Sequence, residues 1–158
     1  MKEILNEWKK YLLIKESLKP SPIKFNYLYH GTSAKRAKKI EQDGFSLKVA
    51  GEKSNFKMPG ISTSVDKDVA EDHARWAAEK FKDKPKVITL YTNNLDIAPG
   101  SFYFSKWDEL GSSEESIKYI KNLNEYDGVA LFDPETGDGV EEYEVLIFEP
   151  KKLENMPK

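Results

Sequence analysis

An α+β fold is the expectation for this chain, and three observations support it. Strand-like stretches outnumber the crossover helices that a parallel sheet needs, and the helical stretches cluster early. The composition is that of one globular domain: 158 residues, 39% hydrophobic and 33% charged, enough for a core without covalent staples. There is no cysteine, so disulfides and thiolate-bound metals are excluded, and a reducing compartment is expected. Two histidines are too few for a histidine-rich metal site. The formal charge is −2, and Arg36 and Arg75 are the only arginines. Bulk charge therefore draws the chain to neither nucleic acid nor anionic lipid. No run is apolar enough to span a bilayer, and the charged start does not read as a secretory signal. A soluble, cytoplasmic protein without a membrane partner is expected.

Taken in order, residues 2–17 place Ile4, Leu5, Trp8, Tyr11 and Leu12 at helical spacing among lysines and glutamates. This amphipathic leader is either a lid packed on the domain or a detachable docking helix, because Ser17 to Pro22 reads as a linker. The expected division is 1–22 for leader and linker and 23–158 for the domain. Phe25 to Tyr29 reads as a strand that stops at His30 and Gly31. Thr32 or Ser33 can then cap a helix that runs to Asp43 and ends at Gly44. That helix is basic on one side, through Lys35, Arg36, Lys38 and Lys39; the side is a solvated face or a place where a diphosphate could pass.

Phe45 to Val49 is expected as a short strand and Ala50 to Met58 as a polar loop. Pro59 to Ser64 is a strand too short and too hydroxylated for ordinary core. Asp66 can cap a helix to about Lys82, with Val69, His73, Trp76 and Ala77 on one face, before Pro85 breaks it. Val87 to Tyr91 alternates as a strand, and Asn93 to Ser105 is expected as a long loop. Its aromatics Phe102, Tyr103 and Phe104, with Trp107, would close over a ligand or pack on the core. Ser112 or Ser113 caps a helix to about Leu123. Gly128 to Phe132 is a strand, Asp133 to Gly139 an acidic turn, and Tyr143 to Phe148 the last strand.

Three pieces carry chemistry: Tyr29-His30-Gly31-Thr32, the Gly60 to Ser64 segment with His73 beyond it, and Glu142-Tyr143-Glu144. An aromatic followed by His-Gly-Thr, then a helix closed by Asp43-Gly44-Phe45, resembles the ADP-ribosyltransferase family, whose members include diphtheria-type toxins and poly-ADP-ribose polymerases. Glu144, four apolar residues and then Glu149-Pro150 fit the same family. The resemblance spans roughly residues 25 to 153. It implies two small packed sheets, mixed or antiparallel, with flanking helices and an NAD cleft between them. It also implies transfer of ADP-ribose from NAD to an acceptor, expected to be a protein side chain, with release of nicotinamide. Glu144 would be the catalytic carboxylate, stabilising the positive charge that builds on the sugar as the bond to nicotinamide breaks.

Gly31 would let the backbone approach the nicotinamide carboxamide, because it has no Cβ. His30 would hydrogen-bond the adenine-side ribose, and Thr32 or Ser62 would add a hydroxyl. The second motif departs from the histidine–tyrosine–glutamate branch: Ser62 stands where an aromatic is expected, and His73 where the second ring-stacking tyrosine falls. Ser62-Thr63-Ser64 and Glu142-Tyr143-Glu144 are instead similar to the arginine–serine–glutamate branch, in which the upstream glutamate, here Glu142, activates the acceptor. NAD hydrolysis, a nucleic-acid or small-molecule acceptor, and a non-catalytic interaction module on the same fold are the alternatives. The leader resembles those of some bacteriophage proteins, which allows a phage-encoded, toxin-like role.

Overall fold

The first strand does not stop at His30. In the computed structural model, which describes residues 19–45 and 60–149, strand β1 runs from Tyr27 to Ser33, with His30 and Gly31 inside it. It lies antiparallel to β3 (Pro85–Tyr91), with His30 opposite Ile88 and Gly31 opposite Val87. A glycine inside a strand often marks a close backbone approach, and that is its use here. A Cβ on Gly31 would overlap the Ala70 carbonyl oxygen and sit 2.8 Å from the Ala74 nitrogen. The backbone of helix α2 (Lys67–Phe81) therefore rests directly on β1, and its buried side chains are the small ones, Ala70, Ala74, Ala77 and Ala78. Alternation along the strand puts this contact on the side opposite Leu28 and His30.

The remaining elements are α1 (Ala34–Asp43), β2 (Ile61–Ser64), β4 (Ile97–Ala98), α3 (Gly100–Leu110), α4 (Ser113–Asn122), β5 (Gly128–Ala130) and β6 (Glu144–Ile147). The expected caps form. Ser33 Oγ accepts from the Arg36 N–H, Asp66 from Asp68 and Ser112 from Glu115, and Gly44 ends α1 at a φ of 78°.

The six strands make one mixed sheet in the order β3-β1-β2-β6-β5-β4, with only β4 and β5 parallel. The α+β class holds, but two packed sheets with a cleft between them were expected, and the described residues form a single sheet. The join is Tyr29 opposite Ser64, where β1 pairs with β2, and it links what would otherwise be two halves. Side-chain alternation divides the core between the two faces. Leu28, Ile61, Val145 and Ile147 fall in one cluster, and Val129, Leu131 and Leu146 in the other with Tyr103, Ile117 and Ile120 of α3 and α4. Leu146 is buried among these, so Leu146→Ala should cost about 2–5 kcal/mol in a denaturant titration.

Two expectations need correction here. Residues 100–110 are helix α3 and not loop, so Phe102, Tyr103, Phe104 and Trp107 sit on a helix. The boundary signals were present: Pro99 stands immediately before α3, and Gly111 ends it with a φ of 89°. The close approach of Gly100, where a Cβ would overlap the Phe132 carbonyl oxygen, seats the start of α3 on the end of β5. The last strand begins at Glu144 and not Tyr143, because Tyr143 has a φ of 44° and breaks the alternation.

The expected leader helix, most of the strand Phe45–Val49 and all of the 50–58 loop lie outside the described residues. Part of the expected linker is held to the body. Tyr126 donates to the Pro20 carbonyl at 2.6 Å, and Ile23 exchanges backbone bonds with Ile97. Among the described residues no helix is long and apolar enough to cross a membrane.

Candidate functional site

The hydroxyl-rich segment Ser62-Thr63-Ser64 owes its composition to β6. Ser62 Oγ donates to Glu144 Oε1 at 2.7 Å. Thr63 Oγ1 donates to the Val145 carbonyl at 2.6 Å, and Ser64 Oγ to the Glu142 carbonyl at 2.7 Å. Ser64 Oγ also accepts from the Asp66 N–H at 3.1 Å, so one hydroxyl ties the turn before Glu144 to the start of α2. Three consecutive hydroxyls thus lock β2 to β6 and fix the carboxylate between them. A strand of aliphatic residues would pair equally well but would leave Glu144 unoriented.

On the other side of β2, His30 Nδ1 lies 2.8 Å from the Ser62 carbonyl oxygen. A carbonyl only accepts, so Nδ1 carries the proton, and in the neutral ring Nε2 is left as an acceptor. Burial holds the His30 pKa below its ordinary value, against the raising effect of the Ser62 carbonyl, and His73 and Arg36 lower it further through charge. The neutral ring is therefore the form present at neutral pH. Phe45 packs edge-on against it, with ring centroids 5.3 Å apart.

Residues 30, 62 and 144 come from three strands and are linked through Ser62, whose backbone carbonyl meets His30 and whose hydroxyl meets Glu144. Burial pushes the Glu144 carboxyl up, and the charge of Glu142 adds to this. The Ser62 hydrogen bond and His73 pull it back. His73 itself is exposed on α2, and its charge is felt by both His30 and Glu144.

The other expected site residues are placed differently. Glu142 is exposed in the turn before β6 and does not share a strand face with Glu144; it acts on that carboxyl through charge. Gly31 is used in seating α2. Thr32 is buried opposite Lys86, and the linkage through Ser62 does not include it.

The role of Ser64 was missed from the sequence, and that of Tyr103 was drawn only broadly. Ser64 anchors the turn that presents Glu144. Tyr103 of α3 is buried and hydrogen-bonded to Ser113. Burial raises its pKa, the Ser113 bond opposes that, and the charge of Glu144 raises it further. The aromatic run was legible as a candidate wall, but its helical placement was not.

Among the described residues no group of histidine and carboxylate side chains could hold a metal ion. What the arrangement offers is one desolvated carboxylate oriented by the Ser62 hydroxyl, and a neutral imidazole held by the carbonyl of the same residue. Comparison with family models, with curated proteins and with solved structures finds no match to this chain.

Replacing Ser62 by alanine removes the hydrogen bond that favours the ionised form of Glu144. The carboxyl of S62A should then titrate at higher pH than in the parent protein, read by NMR of the labelled glutamate side chain. An unchanged midpoint would show that Ser62 does not tune it.

Proposed function

We propose that this protein transfers ADP-ribose from NAD to an acceptor, most simply a protein side chain, and releases nicotinamide. The observation that carries the reading is the His30–Ser62–Glu144 linkage, which gathers one residue from each of the three motifs that resemble the ADP-ribosyltransferase family. In the proposed reaction the bond between the nicotinamide nitrogen and the ribose C1′ breaks, and its electron pair leaves with nicotinamide. Positive charge develops on the sugar. Ionised Glu144, partly withdrawn from water, stabilises that charge and accepts a hydrogen bond from a ribose hydroxyl. The acceptor's nucleophilic atom then bonds to C1′ and gives up its proton, for which exposed Glu142 is the available base.

His30 Nε2, a hydrogen-bond acceptor, suits a hydroxyl of the adenine-side ribose. Ser62 orients Glu144 and does not itself meet the reacting atoms. His73 is the candidate for stacking on the nicotinamide ring, and Gly31 and Thr32 support the strand that carries His30. Of the basic residues of α1, Arg36 already reaches the imidazole through its charge, and it suits a diphosphate.

The test is incubation with NAD labelled in its adenine half, with and without a cell lysate, following free nicotinamide and label on macromolecules. Transfer predicts both. Nicotinamide without macromolecular label would replace transfer by hydrolysis or a small-molecule acceptor. Label removed by nuclease and not by protease would move the acceptor to nucleic acid. No nicotinamide release would leave a non-catalytic interaction module.

A further inference from the structure

We propose that the exposed aromatic face of α3 docks a basic polypeptide segment. Half of the large hydrophobic side chains exposed among the described residues lie on α3 and α4: Trp107 at 40%, Leu110 at 42% and Tyr119 at 37%. They do not stand singly. Trp107 stacks on Phe104 with the rings 16° from parallel and centroids 6.0 Å apart, and both pack on buried Tyr103. A clustered, part-exposed aromatic face of this kind marks an interaction surface more often than scattered apolar residues do.

Charge decides what covers it. Residues 100–149 hold three lysines against thirteen carboxylates, a formal −10 in a chain whose total is −2, so the rest of the chain carries +8. Eight of the thirteen carboxylates lie in the connections flanking β5 and β6, whereas β1, β2, β3, α1 and α2 together carry a net +2. Two of the three lysines are already held in ion pairs, Lys106 with Glu109 at 2.9 Å and Lys118 with Glu114 at 3.2 Å. The start of α3 abuts Phe132 and Asp133, where the turn bearing Glu135, Glu141 and Glu142 begins.

An exposed indole in a segment with a formal −10 suits arginine and lysine side chains, through cation–π contact and charge together. The same field repels a phosphate backbone. As a route by which an acceptor reaches Glu144 the surface rests on the transfer reading; as a docking surface it does not.

The test is fluorescence anisotropy of a labelled arginine–glycine repeat peptide at low ionic strength, without NAD. The protein should bind it. The pair Glu135→Lys and Glu141→Lys should weaken binding at least about tenfold, and Trp107→Ala should weaken it as well. The same reversal on α1 and α2, Glu41→Lys with Glu79→Lys, changes net charge equally and should leave affinity within about twofold. Equal losses from both pairs would reduce the effect to net charge and overturn the proposal. So would a single-stranded oligonucleotide that competes for the face. Should Trp107→Ala fail to fold, hydrogen exchange on the parent protein decides. The peptide should slow exchange in α3 and residues 134–142, and protection elsewhere alone would sink the idea. No NAD is present, so this result and nicotinamide release can fail independently.

Discussion

Glu144→Gln should cut nicotinamide release by roughly 10²–10³-fold or more, the range for removing one preorganised group that meets transition-state charge. The substitution keeps the shape and leaves an oxygen for Ser62 Oγ to donate to, so the lost element is the negative charge. The same variant should melt higher than the parent protein at neutral pH. Burial raises the folded-state pKa of Glu144 above its ordinary value, so the ionised carboxylate opposes folding at neutral pH. That opposition fades as pH falls through the raised folded pKa, because the native state takes up the proton first. The melting-temperature gap between variant and parent should therefore narrow on acidification. Lost turnover with gained stability is the pattern expected of a residue kept for chemistry. A variant that melts lower and still releases nicotinamide would make Glu144 a structural residue.

Gly31→Ala should destabilise the fold by about 3 kcal/mol or more, the upper end for overpacking, because a new Cβ meets helix backbone and not a movable side chain. For a domain of this size that is a fall in melting temperature of roughly 6–12 °C. Calorimetry without NAD reads it directly. If Gly31 were needed only to bring the backbone to nicotinamide, the variant would melt normally and lose affinity for NAD alone. The two accounts thus differ before any ligand is added.

Much of the site was legible because its chemistry is local. His30, Ser62 and Glu144 each sit in a short motif whose residue types announce hydrogen bonding. The helix caps at Ser33, Asp66 and Ser112 are patterns of a few residues, and they formed as expected. The failures share a cause: each depended on something far away in the chain. Gly31 looked like a strand stop, and its reason is a helix that begins at Lys67. The aromatic segment after Pro99 looked like loop because Asn, Pro and Gly surround it, yet core burial of Tyr103 favours helix there. Glu142 and Glu144 are spaced as strand neighbours, but a left-handed Tyr143 separates them.

The α+β class, the caps that start and stop the helices, and the residue types of the His30, Ser62 and Glu144 trio follow from sequence alone, because propensity, capping and side-chain chemistry act within a few residues. Tertiary structure alone decided that one sheet forms in place of two, joined where Tyr29 meets Ser64. It also decided that Ser62 spans from the His30 imidazole to the Glu144 carboxylate. Strand pairing and desolvation join residues more than eighty positions apart, and no local pattern can encode which of them will meet.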